Sequence, residues 1–353
     1  MSTGINWTDE TWNPLVGCKA VSLGCDNCYA AREASGRLSG HPLYAGLATD
    51  GVFGGEVRLI PERLDQPLRW KRPRKIFVNS MSDLFHPDVP DEFVAEVFAV
   101  MALAARHTFQ VLTKRPQRMA SLLSSSMFAD LVTEAVRGRD SSFLGSLVWP
   151  LGNVWLGTSI ESNRYVWRAD HLRKTPAAIR FLSCEPLLGP LPDLDLTGID
   201  WVIVGGESGP GARSMHPQWI RDIRDRCLKN LCENCQGSKL RGSMGLDGCV
   251  CGNSPSGDET HRPGRRPVAF LLKQWGEWAP GHGSTSGSTL TGNLRVAAPW
   301  SYFDYDGVER GTNELNSFRI PADWAKMARV GKRSAGRELD EQVWDQYPWP
   351  SQR

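Results

Sequence analysis

The feature that most restricts how this chain can fold is a repeated unit. A short β-branched or aromatic run is followed by a polar turn rich in Gly, Ser or charge, then by a stretch with helical spacing. The run at 75–80 (Lys-Ile-Phe-Val-Asn-Ser) leads into 81–86, and the acidic, Pro-containing stretch 87–91 opens a helix with Phe93, Val97 and Met101 on one face. The next run, 109–112, ends at Thr113, Lys114 and Arg115. Runs at 153–156, 179–182, 200–204 and 268–272 lead into turns at 157–161, 183–186, 205–209 and 273–276. Six strands separated by mostly helical material predict an α/β protein with a parallel sheet and crossover helices, left open or closed into a barrel. In such folds ligands bind at the carboxyl ends of the strands. One mouth therefore collects Ser80, Asp83, Lys114, Thr158, Ser159, Glu161, Glu185, Glu207 and Lys273. Each alone reads equally well as a helix cap or turn residue. Their recurrence at strand ends is what points to a site.

Two stretches break the repeat. Residues 228–267 lose apolar periodicity and become rich in Cys, Gly, Ser and Arg, a loop insertion ahead of the last strand. Residues 281–292 are rich in Gly, Ser and Thr and read as a linker. The main α/β domain is thus expected over 1–280, and the aromatic-rich tail 293–353, with Trp300, Tyr302, Phe303, Tyr305, Trp344, Tyr347 and Trp349, is expected to pack on it. The first ten residues carry neither a basic stretch nor an apolar core, and the apolar run 93–105 is short and broken by Glu96. The expectation is a cytoplasmic protein with no membrane segment. A formal net charge of +2 is far from that of a dedicated nucleic-acid binder, so polyanion contact would have to be local.

Seven of the nine cysteines fall in two clusters, which suits metal ligation better than disulfides. Cys18, Cys25 and Cys28 share a Gly-bearing loop ahead of a helix-prone run at 29–38. Three thiolates suit soft metal chemistry, and a four-iron four-sulfur (4Fe-4S) cluster held by three cysteines keeps one iron open to an exogenous ligand. The other reading is a zinc site completed by His41 or Cys184. The second cluster, Cys232, Cys235, Cys249 and Cys251, places two tight thiolate pairs in the insertion, near zinc-ribbon spacing; a second iron-sulfur cluster is the alternative. Cys227 shares a helical face with Ile220 and Ile223 and reads as core.

The stretch from Asn6-Trp7-Thr8 through Trp12-Asn13-Pro14, then Gly17-Cys18, Gly24-Cys25 and Asn27-Cys28-Tyr29-Ala30, resembles a phage and bacterial family of unknown function grouped with the radical S-adenosylmethionine proteins. The blocks at 80–85, 112–116, 183–186, 205–209 and 273–276 resemble the same family, so the likeness runs along nearly the whole chain outside the Cys-rich insertion. Six residues separate Cys18 from Cys25, where the better-known superfamily pattern has three, and Asn27 stands where an aromatic residue commonly precedes the last cysteine. The resemblance implies a partial TIM-like (β/α)6 barrel with the cluster at its mouth and reductive cleavage of S-adenosylmethionine as the initiating step. It carries no substrate.

The resulting expectation assigns Cys18, Cys25 and Cys28 to the cluster and Ser80, Asp83, Thr158 and Ser159 to the cofactor. Glu161, Glu185 and Glu207 are the carboxylates suited to holding a ribose or ammonium group or to moving protons. Lys114, Arg115 and Lys273 would meet an anionic substrate; the pair at 114–115 reads alternatively as a helix-initiating turn before Pro116. Basic runs at 69–75 and 261–266, for each of which a solvated surface stretch is the other reading and for the first the commoner one, raise a nucleic-acid base or nucleotide as substrate, and reductive chemistry would call for an electron-donor protein. The rival expectation is a non-catalytic zinc or iron-sulfur protein that binds nucleic acid or protein.

Overall fold

Each strand of the repeat has both faces covered, as a parallel sheet requires, and the computed structural model describes residues 5–229, 268–280, 300–310, 323–340 and 342–348. The strands are β1 (Glu10–Trp12), β2 (Lys75–Val78), β3 (Thr108–Thr113), β4 (Val154–Ser159), β5 (Ile179–Cys184), β6 (Trp201–Gly205) and β7 (Ala269–Gln274). They lie in one sheet in chain order, every neighbouring pair parallel. The sheet thus has seven strands where the repeat predicts six. The added one, β1, is only Glu-Thr-Trp, too short to show a strand pattern. It is set by tertiary context, with Thr11 in register with Phe77 and the Trp12 indole fully buried and donating to Arg63 O at 2.8 Å.

Doubly wound sheets reverse their strand order at a switch point, which sends helices to both faces. Here the order never reverses, so right-handed crossovers stack the helices on one face. These are α2 (Asp91–Leu103), α3 (Pro116–Leu123), α4 (Ser126–Arg139), α5 (Arg168–Lys174) and α6 (Pro217–Lys229); α1 (Tyr29–Ser35) follows the cysteine loop. Ile76, Val78, Phe109, Val111, Leu156, Val202 and Phe270 share the outer core with Phe93, Val97 and Met101 of α2 and with Ile220, Ile223 and Cys227 of α6. The alternate residues Phe77, Trp155, Phe181, Trp201 and Leu271 form a second core on the inner face, around Trp7.

The inner core makes the sheet curl. The Trp7 ring lies 4.8 Å from Phe77 on β2 and 6.2 Å from Trp201 on β6. On a flat sheet those strands would stand roughly 19 Å apart. One indole reaches both only if the sheet wraps around it as a half-barrel.

Beyond β7 a smaller antiparallel sheet is built from β8 (Trp278–Pro280), β9 (Trp300–Phe303), β10 (Glu309–Arg310) and β11 (Ala325–Arg329), in the order β8, β11, β9, β10. The C-terminal stretch is tied to α6 and β7: Trp219 Nε1 donates to Tyr305 O at 2.6 Å, Arg221 pairs with Asp340 at 2.7 Å, and the Leu272 amide donates to Trp344 O at 3.1 Å. Tyr347 stacks near Trp201 and donates to Asn6 O at 3.1 Å, closing the foot of the half-barrel. No helix among the described residues is long and apolar enough to cross a membrane. Cys232, Cys235, Cys249 and Cys251, the linker 281–292 and the basic run 261–266 lie outside the described residues.

Candidate functional site

The cysteine loop leaves the carboxyl end of β1 and lies across the mouth. Gly17 turns the chain with φ +90°, and a Cβ there would sit 2.2 Å from Glu56 O, so only glycine fits. A short helical turn, Leu23–Cys25, leads to Cys28, which caps α1. All three thiols are free and half-buried.

Three carboxylates from alternate strand ends hold this loop. Asp83, after β2, accepts hydrogen bonds from Thr113 Oγ1 (2.7 Å), the Phe85 and Lys114 amides (3.0 and 3.1 Å) and Arg115 Nη1 (2.8 Å). Through Arg115 it reaches the loop, since that guanidinium lies 3.7 Å from Cys18 Sγ and donates to Lys19 O at 2.9 Å. Glu161, after β4, is fully buried between Lys114 Nζ and Arg168 Nη1, each at 2.9 Å, and accepts from Ser22 Oγ at 2.7 Å. Ser22 Oγ in turn lies 3.8 Å from Cys25 Sγ. The loop backbone presses directly on this carboxylate, for a Cβ at Gly24 would stand 2.5 Å from Glu161 Cγ. Glu207, after β6, accepts from Asn27 Nδ2 and from the Arg213 amide and Nε, all at 2.9 Å. Arg213 continues to Leu23 O at 2.8 Å and Asp26 at 3.2 Å.

The charges of this frame are settled by pairing. Burial alone would raise the pKa of Glu161, but Lys114 and Arg168 hold it below the usual glutamate value. Glu207 is likewise held low against its burial by Arg213 and Asn27. Burial pulls the Lys114 ammonium down while Glu161 and the neighbouring Cys25 raise it, and the net shift is upward. Both carboxylates are therefore ionised at neutral pH. The Cys18 thiol is pushed up to about 11 by burial first and by Asp83 next, against the pull of Arg115.

The remaining expected groups differ in what they are free to do. Glu185 and Lys273, both partly buried, pair with each other at 2.6 Å at the ends of β5 and β7. Ser80 exchanges hydrogen bonds with Asn13 at 3.2 Å, and its carbonyl accepts from the Tyr29 hydroxyl. Thr158 is committed to Thr113 O at 2.9 Å. Ser159 is buried, with its carbonyl accepting from Arg168 at 2.9 Å. Cys184 faces the outer core and its pKa is raised by burial. The basic run 69–75 ends at the amino end of β2, at the foot, where Arg74 pairs with Glu10 at 2.6 Å.

The sequence reading assigns no site role to Asn13, Ser22, Asn27, Arg168 or Arg213. Asn27 and Ser22 sit inside the cysteine loop, so their proximity to the thiols was a usable signal. Arg168 and Arg213 carry none beyond their charge. Among the described residues, no group of three or more His, Cys, Asp or Glu side chains is gathered so as to hold a metal ion. By donor chemistry the thiols still suit an anionic cluster: they are soft ligands on one loop, with Arg115 beside Cys18 and Lys114 near Cys25 to balance thiolate charge.

Fold and site together define a singly wound parallel α/β protein with a three-thiol loop clamped over the carboxyl ends of its strands. The chain belongs to the family described as protein of unknown function (DUF5131), which matches residues 2–233 and so takes in all three loop cysteines and all three clamping carboxylates. No curated protein and no solved structure matches the chain.

Proposed function

We propose that this protein is an iron-sulfur enzyme of the radical S-adenosylmethionine type on a partial TIM-like barrel, with Cys18, Cys25 and Cys28 as ligands of a 4Fe-4S cluster and a nucleic-acid base or nucleotide as substrate. The observation that carries the reading is the placement of three free thiols on one loop over the carboxyl ends of parallel strands, where α/β folds bind ligands. The chemistry such a cluster supplies is one electron to the sulfonium of S-adenosylmethionine. The chain's own residues divide the remaining work. Asp83, Glu161 and Glu207 are positioning residues: each fixes one segment of the loop, at Cys18, beside Cys25 and next to Cys28 respectively. Thr158 braces β3 against β4 beneath them. Glu185, which accepts from Lys273 and Gln274 and bonds no residue of the cysteine loop among the described residues, and Lys273 are the charged pair proposed to meet a ligand. Ser159 is the last residue of β4, and Ser80 and Arg115 stand two residues past β2 and β3.

Protein purified without oxygen is expected to contain iron and labile sulfide and, after chemical reduction, to release 5'-deoxyadenosine from added S-adenosylmethionine, with Cys25→Ala inactive. Zinc alone, with no sulfide, would overturn the proposal and favour a binding protein.

A further inference from the structure

Asn79 stands one residue past β2, at the edge of the mouth and directly before Ser80. It is 3 % exposed, and among the described residues neither Nδ2 nor Oδ1 has a hydrogen-bond partner, whereas its backbone amide donates to Trp12 O at 2.8 Å. Its φ is +62°, a left-handed conformation that Asn tolerates but glycine adopts most readily. The fold is therefore burdened twice at one residue. A glycine would make the same turn without burying an orphaned amide, so the backbone gives no reason for this side chain. Three other orphaned polar groups among the described residues have plainer accounts. The indole nitrogens of Trp7 and Trp201 belong to rings that fill the foot, and His107 is already engaged through its second nitrogen.

We infer that Asn79 reads a ligand edge on which a hydrogen-bond acceptor lies beside a donor, the pattern adenine presents to an asparagine amide. The inference rests on the mouth being the ligand site proposed above, and it adds the recognition of an adenine edge. That edge could be supplied by the adenosyl group of the cofactor or by a nucleotide substrate, which share the chemistry.

The test is calorimetric binding of adenosine and of purine riboside, which lacks the exocyclic amine, to the wild-type protein, Asn79→Gly and Asn79→Ser. Adenosine should bind the wild type and lose about 10-fold or more in both variants, with purine riboside binding weakly to all three. Asn79→Gly should also melt about 2–4 °C higher, because an unsatisfied buried amide and an unfavourable φ are removed together. Adenosine displaced by S-adenosylmethionine assigns the edge to the cofactor; adenosine retained beside it assigns the edge to the substrate. Adenosine affinity equal in all three proteins, absent from the wild type, or accompanied by a lower melting temperature of Asn79→Gly would overturn the inference, the last by showing the amide to be structural. Adenosine binding needs no cluster, so a protein without sulfide that still binds adenosine through Asn79 would sink the radical reading and leave this inference standing.

Discussion

The foot and the mouth of the half-barrel are built on the same seven strands, and they solve burial in opposite ways. At the foot, Trp7, Phe77, Trp155, Phe181 and Trp201 fill the concave face with aromatic rings. Packing dominates there to the point that the Trp7 and Trp201 indole nitrogens and Gln110 Oε1 go without partners among the described residues. At the mouth, a few residues further along the same strands, Asp83, Glu161 and Glu207 are buried to 5 % exposure or less, and each is matched to cations and to the loop. Apolar packing tolerates rough substitution as long as volume is kept, while a buried charge is acceptable only with its particular partner. The foot therefore supplies stability and the mouth supplies position.

The widest separation of the two regions is expected from Trp201→Ala. Removing a fully buried indole should cost about 3–5 kcal/mol by denaturant unfolding, while alkylation of Cys25 in the remaining native protein stays at its wild-type rate. Faster alkylation would mean that the foot also positions the loop. Glu161→Gln should cost about 3 kcal/mol, because Arg168 and Lys114 lose their counter-charge in a buried setting, and should speed Cys25 alkylation by freeing Ser22. A stability loss with an unchanged alkylation rate would remove Glu161 from the clamp.

The smallest effect is the pH response. Glu161 and Glu207 titrate below the ordinary glutamate value of 4.5 in the folded protein, so the unfolded state takes up protons first on acidification. Their contribution is complete above that value and fades as pH falls through the lower folded values. The melting temperature should thus hold through neutral pH and decline below about pH 4.5, with a shallower decline in Glu161→Gln. Equal acid slopes for the two proteins would show that Glu161 carries none of this dependence.

Much of the architecture was legible in the chain because periodicity is local. The runs at 75–78 and 201–204 form strands as expected, and α2 buries Phe93, Val97 and Met101 as their spacing predicts; that these strands alternate between outer and inner core is a finding of the structure. The strand β1 was not legible, since three residues hold too little pattern and its pairing depends on the free edge of β2. At the site, the charged strand ends could be recognised as a mouth. Their tasks could not: Asn27 and Glu207 meet across 180 positions, and Ser22 and Glu161 across 139.

By itself, then, the sequence determined which residues sit at strand ends, which side chains α2 and α6 turn to the core and that three thiols share one loop, because each follows from repeats only a few residues long. The tertiary structure alone decided that Asp83, Glu161 and Glu207 are clamps, that the basic run 69–75 ends at the foot, and that the buried Asn79 amide, one residue past β2, has no partner among the described residues. A hydrogen bond or ion pair is a matter of a few ångströms in space, and that proximity is created when the sheet curls and brings distant strand ends around one opening.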